Sequence, residues 1–387
     1  MDDNTNFEIE KEKDHGNLIK GLSGVAVAAV ILGGIYLYYS GFAKSVKQEF
    51  AKKYFAIDDG AHARGDYSVS IPGYEQLLVE VKGLPDSDLE YKKTREAQIK
   101  MKLAADLLAR LEPGDRERAV GLYRSVFEDE NALPSSRAIA INELTFLAHH
   151  YFGHQLIHSL FMEEPYKTML ERDAGGDMNK AMILLYEKSI DIFPNSHAYY
   201  QIALMQGVPL LNNRTLSEEE REAEARKIKE LVEKGDALLG KIVYEPSYEA
   251  HIQLCRAMSL GIVQSIVGGV GLDKVDAGYK TAIAVAQSAK GDVFAQGSGI
   301  ISRLIYSVFL VKNAEALGKT KTELEIAQQL TVFGNKETMA LYPWIRNYLN
   351  VVWLRPDTDY MKTHVRKLVL LSPELKEYLT STTNWTF

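Results

Sequence analysis

A chain of 387 residues, 46% hydrophobic and 25% charged, has enough apolar side chains to bury a substantial core as one extended domain or two compact ones. A net charge of −7, with no long basic run in the body, removes the electrostatic footprint of nucleic-acid binding. Cys255 is the single cysteine, which excludes an intramolecular disulfide scaffold and a multi-cysteine zinc site.

Residues 1–17 are polar, lack apolar periodicity and read as a flexible acidic tail. The uncharged run GLSGVAVAAVILGGIYLYYSGFA, from Gly21 to Ala43 between Lys20 and Lys44, is long enough as a helix to cross roughly 30 Å of hydrocarbon. Residues 18–44 are therefore expected to form one transmembrane helix in contact with the lipid bilayer. The run exceeds the roughly 7–15 residues of a signal-peptide core, and no small-residue cleavage site with a polar mature start follows it. Tyr36, Tyr38 and Tyr39 suit the headgroup zone at its far end. Gly21, Gly24, Ala29, Gly33 and Gly34 leave one side thin, a face through which the chain could form a homo-oligomer. Lysines flank both ends: Lys11, Lys13 and Lys20 before the run, and Lys44, Lys47, Lys52 and Lys53 after it. That difference is too small to override the common arrangement for one amino-terminal anchor, so a single-pass protein with an extracytoplasmic body is expected.

Residues 45–90 read as a juxtamembrane helix and linker, because Gly60, Gly65, Pro72 and Gly73 crowd the stretch IDDGAHARGDYSVSIPGYEQ. Its Arg64-Gly65-Asp66 triplet is too short to carry a function. From about Tyr91 the pattern becomes helix-length amphipathic segments with short Pro, Gly, Asn and Asp breaks and little that looks like strand. A corner recurs at Pro134-Ser135-Ser136-Arg137-Ala138, Pro194-Asn195-Ser196-His197-Ala198 and Pro246-Ser247-Tyr248-Glu249-Ala250. Proline should stop one helix, a serine or asparagine oxygen should accept an amide proton at the start of the next, and alanine should let that helix pack closely. A fourth corner is expected at Gly291-Asp292-Val293-Phe294-Ala295.

At these residues the chain resembles the tetratricopeptide repeat family. Met182, Tyr186, Ser189 and Pro194 match the second helix of a repeat, and Ala198-Tyr199-Tyr200-Gln201-Ile202-Ala203 matches the opening of the next first helix. Ala119 and Tyr123 fit the second-helix pattern more loosely. The family repeats about every 34 residues; here the corners lie 60 and 52 apart, which requires longer helices or insertions. The resemblance implies an all-α fold, an α-solenoid of helical hairpins over residues 91–311 closed by an aromatic-rich C-terminal cap over 312–387. It also implies a groove for protein or peptide partners lined by the first helices after the corners, with Asn142, Tyr199, Tyr200 and Gln253 among the lining residues.

Ser217 and Glu220 have capping-box spacing, and Glu222 with Arg226 and Glu230 with Lys234 stand one helical turn apart. The apolar run from Ala257 to Leu272 is only 16 residues long, contains Gln264 and reads as a buried helix rather than a second membrane span.

One constellation has the look of a metal site. His150, His154 and His158 recur every four residues, so on a continuous helix they would form one stripe able to share a zinc or similar ion. No HExxH motif, no Gly-x-Ser-x-Gly elbow and no phosphate-binding loop accompanies them; Gly268-Gly269-Val270-Gly271 is not followed by Lys-Ser or Lys-Thr. Cys255 sits among apolar neighbours as a packing residue. No cofactor and no catalytic residue is implied. The expectation is a membrane-anchored repeat scaffold rather than an enzyme, resembling in layout bacterial proteins that work beside secretion or envelope-assembly machinery. A tethered metal-binding protein built on the histidine stripe is the alternative.

Overall fold

The computed structural model describes residues 46–85, 88–212, 215–242, 244, 246–289, 293–313 and 315–318, together with 376, 377 and 380. The membrane segment over 18–44, its glycine face and, apart from those three positions, the aromatic cap beyond Gly318 lie outside the described residues. Within them the chain is helical with no strand, and no helix is long and apolar enough to cross a membrane.

The elements follow in order as α1 (46–55), a π-helical stretch (Ala56–His62), α2 (Tyr67–Glu80), α3 (Leu89–Arg110), α4 (Asp115–Phe127), α5 (Pro134–Leu147), α6 (Met178–Ile192), α7 (Ser196–Asn212), α8 (Glu218–Asp236), α9 (Pro246–Ile266), α10 (Leu272–Ser288) and α11 (Val293–Asn313). Each helix from α2 onward packs against the next, and α11 also folds back on α9. The body is thus a row of packed helix pairs, as the repeat pattern implies. The helices opened by the three corners, α5, α7 and α9, each begin a pair: α5 with α6, α7 with α8, α9 with α10.

The corners work differently from one another. At the second, Phe193 closes α6 and Pro194 follows it, while the Asn195 side chain accepts the Ala198 amide at 2.9 Å, so the cap is the expected one. At the first and third, Pro134 and Pro246 are the opening residues of α5 and α9, where a missing N–H costs nothing. No side-chain cap forms at Pro134. In those two corners proline starts a helix instead of stopping one. Of the fourth corner, α11 begins at Val293 and residues 290–292 lie outside the described residues.

Residues 57–76, read from their glycines and Pro72 as a linker, are instead helical on both sides of a turn at 63–66, and packed. Ile71, Tyr74 and Leu77 recur at helical spacing and are buried, so tertiary burial overrides weak local propensity. Pro72 lies on the exposed side of α2, so its ring meets solvent and not the core. Gly73 lets the π-helical stretch pack closely on α2, since a Cβ there would lie 2.7 Å from Ile57 Cδ1. Helix α1 is docked as firmly: Phe50 and Tyr54 are buried, and the Arg95 guanidinium of α3 stands 5.0, 5.4 and 5.1 Å from the ring centres of Tyr54, Phe55 and Tyr91.

The capping box at Ser217 and Glu220 opens α8, and Glu222 pairs with Arg226 at 2.5 Å. The expected pair between Glu230 and Lys234 does not form; both side chains turn toward a cleft. The apolar run in α9 is core, with Ala257, Leu260, Ile262 and Val263 buried, and the left-handed Gly268 and Gly269 follow the end of the helix.

Candidate functional site

Burial separates the four residues expected to line a partner groove. Asn142 and Tyr200 are fully buried at 0% exposure and cannot face a partner. Asn142 Nδ2 donates to Asn195 Oδ1 at 2.8 Å, and Asn195 Nδ2 donates to Ser189 Oγ and to the Phe193 carbonyl, tying α5 to the corner before α7. The Tyr200 hydroxyl donates to Asp236 at 2.7 Å, and Arg256 grips the same carboxylate through Nε and Nη2, pinning α7, α8 and α9 together. Gln253 is buried in α9 and donates to Glu249 at 2.7 Å. Only Tyr199 remains half-exposed.

Tyr199 borders a cleft of about 500 Å³ that opens over α7 between α6 and α8. Glu187, Ile190 and Asp191 form the α6 wall, Tyr199, Ile202 and Gln206 the floor, and Lys227, Glu230, Leu231 and Lys234 the α8 wall. Each set lies three or four positions apart, one face of its helix. The Ile190, Ile202 and Leu231 side chains and the Tyr199 ring supply apolar surface between charged rims. Glu187, Asp191, Glu230 and Lys234 make no ion pair among the described residues, whereas Lys227 pairs with Glu224 at 2.6 Å. Partial burial, and then repulsion from Asp191 one turn along, hold the Glu187 carboxyl above its ordinary value. The sequence reading missed all of these residues except Tyr199. Their periodicity was visible, but which helix face turned outward depended on how α6 and α8 pack against α7.

The histidine stripe does not assemble. A π-helical turn (Ala148–Phe152) continues α5, and Gly153, with φ 72°, breaks the helix before His154. His150 is buried, His154 Nε2 lies 3.2 Å from Asn179 Oδ1, and His158 is exposed. Among the described residues no group of three or more His, Cys, Asp or Glu is placed to hold a metal ion.

His150 instead joins a buried network built from the π-helical turn after α5, from α7 and from α9. Its Nε2 lies 2.9 Å from Gln201 Oε1, an oxygen that only accepts, so the proton sits on Nε2. The Gln201 amide then donates to His197 Nε2 at 3.1 Å and to Cys255 Sγ at 3.1 Å. His197 therefore carries its proton on Nδ1 and donates it to the Tyr248 oxygen at 2.7 Å. Neutral imidazoles are what burial demands. It pushes His197 down to about 3, with His150 adding to the effect, and pushes His251 well below the ordinary histidine value, with His150 and His197 adding. Burial also pushes the Cys255 thiol far up, so it is an inert packing residue.

A second buried cluster, in the segment read as a linker, was unexpected. Asp58 and His62 stand four apart on the π-helical stretch and face Lys102 and Asp106, four apart on α3. Lys102 Nζ lies 3.1 Å from Asp58 Oδ1, and His62 Nδ1 lies 2.7 Å from Asp106 Oδ1. Tyr74 of α2 donates to Asp58 at 2.8 Å.

Comparison of the chain with protein-family models, with curated proteins and with solved structures finds no match.

Proposed function

We propose that this protein is a membrane-tethered helical-repeat scaffold whose body binds segments of partner proteins in the cleft between α6 and α8. The cleft carries the reading. It presents apolar side chains between charged groups, of which Glu187, Asp191, Glu230 and Lys234 make no ion pair among the described residues, the anatomy of a recognition surface with a dry centre and a polar rim. The segment it fits places an aliphatic or aromatic side chain against Tyr199, Ile190 and Leu231, a basic group toward Glu187 and Asp191, and an acidic group toward Lys234. Tethering rests on the sequence of residues 21–43, and an extracytoplasmic body remains the expected arrangement.

Selection from a displayed library of random peptides on the full chain in lipid nanodiscs tests the cleft. Selected peptides should share the basic, apolar and acidic order and lose roughly tenfold or more in affinity to Tyr199→Ala and to Lys234→Glu, the size of one well-packed anchor or rim charge. A peptide with its acidic residue exchanged for lysine should recover binding to Lys234→Glu. Peptides that bind the variants as tightly as the parent would refute the assignment. Membrane flotation of the full chain, lost on deleting residues 18–44, tests the tether, and protease access in sealed vesicles tests the side on which the body lies.

A further inference from the structure

The cross-paired cluster at the start of the body is the one place among the described residues where opposite charges are buried against each other on both faces of a contact. Asp58, His62, Tyr74 and Asp106 are 7%, 4%, 0% and 0% exposed, and the Lys102 side chain is 12% exposed. Among these groups two carboxylates oppose one ammonium, and an imidazolium at His62 balances them. A buried net charge is costly and a buried neutral set is tolerated, which makes the His62 proton part of the packing.

We propose that this double pair is a proton-operated latch: protonated His62 holds residues 46–80 on α3, and loss of that proton lets this segment open while the repeats stay folded. The groups facing His62 are Asp58 on its own element, Tyr74 on α2, and Lys102 and Asp106 on α3, with Tyr54 of α1 packed behind Tyr74 at 6.4 Å between ring centres. Burial pushes His62 down and Lys102, 3.3 Å from Nε2, does the same; Asp106 and Asp58 outweigh both and leave the imidazole above its ordinary 6.5. A raised folded-state pKa contributes stability that is complete below 6.5 and is lost as pH rises through the folded value. On the acid side, burial raises Asp58, but Lys102, His62 and Tyr74 leave it below 3.8, so its contribution is lost only as pH falls below 3.8. The latch is therefore closed in mild acid and loosened by alkali.

The consequence is mechanical. Residues 46–80 join the proposed anchor to the repeats, so a closed latch holds the body rigidly to what precedes it and an open one lengthens the tether. The latch does not depend on what occupies the cleft.

Hydrogen exchange of the full chain in nanodiscs, divided by the intrinsic exchange rate at each pH, reads the opening directly. Between about pH 6 and 9, opening of peptides within 46–80 should rise by up to about tenfold per pH unit once His62 begins to lose its proton, the limit for one linked proton, while α7 and α9 stay level. His62→Gln should open more at pH 6 and lose the pH dependence. Asp106→Asn, which removes the group that raises His62 most, should shrink or reverse the rise. A level profile across this range in the unmodified chain, or an unchanged slope in His62→Gln, would overturn the latch. Should His62→Gln fail to fold, an undiminished rise in Asp106→Asn would do so equally.

Discussion

Replacing Asn195 by alanine removes four hydrogen bonds from one corner. The Ala198 amide at the start of α7 loses its cap, which costs about 1 kcal/mol on average for such positions. Asn142 Nδ2 loses its acceptor while remaining at 0% exposure, and stranding a buried donor costs about 1–3 kcal/mol. The bonds from Asn195 Nδ2 to Ser189 and Phe193 disappear as well, although Ser189 keeps its bond to the Ala138 carbonyl. The sum is about 3 kcal/mol or more, a large part of the 5–15 kcal/mol that holds a typical domain folded. Asn142→Ala should cost less, because Asn195 keeps the Ala198 amide and its own donors keep their acceptors. The double variant should be milder than the two single costs added, by about 1–2 kcal/mol, since removing Asn142 removes the stranded donor. Urea unfolding followed by far-ultraviolet circular dichroism measures all four states. An Asn195→Ala loss below about 0.5 kcal/mol, or strict additivity with Asn142→Ala, would refute the account of this corner.

Gly235→Ala should destabilise by about 1–3 kcal/mol in the same assay, because its Cβ would stand 2.5 Å from the Tyr200 ring, whose hydroxyl is tied to Asp236. His197 and His251 are held neutral far below the value that an unfolded chain gives histidine. Their contribution is present above pH 6.5 and is lost as pH falls below it, for His197 toward about 3, by up to about 1.4 kcal/mol per pH unit for each group. Urea midpoints from pH 7 to 5 should fall accordingly, and His251→Leu should reduce the slope; a midpoint unchanged over that range would rule it out.

What the sequence showed of this fold follows from which signals are local. The apolar periodicity of α7 to α10, the capping box at Ser217 and the core character of Cys255 depend on neighbours within one or two turns, and each is found where the pattern puts it. The segment from Asp58 to Glu80 misleads because its glycines and proline are locally weak, while its helix is paid for by Ile71, Tyr74 and Leu77 packing on elements distant in sequence. The candidate site divides the same way. Tyr199 and Tyr200 are adjacent and chemically alike, yet helix rotation sends one to the cleft and the other to Asp236. The histidine spacing of four presumed an unbroken helix, and Gly153 ends it. The two carboxylates, lysine and histidine of the latch carry their own i, i+4 spacing, but only the docking of the π-helical stretch on α3 brings the pairs face to face.

The two buried histidine environments carry opposite pH signs, and the reason is the charge of their neighbours rather than their depth. His62, His197 and His251 are all nearly or wholly excluded from water, so desolvation alone would keep every one neutral. Around His197 and His251 the nearby groups that act on them are other imidazoles, nothing offsets desolvation, and acid must force a charge into the core. Around His62 two carboxylates outnumber one lysine, so removing a proton is what leaves a charge unbalanced. Acid therefore strains the repeat core and alkali strains the join to the preceding segment. Exchange protection measured along one chain should fall first in α5, α7 and α9 below neutrality and first in residues 46–80 above it. A loss of protection that is uniform along the chain in both directions would mean that net charge on the whole molecule, not these two clusters, governs its response to pH.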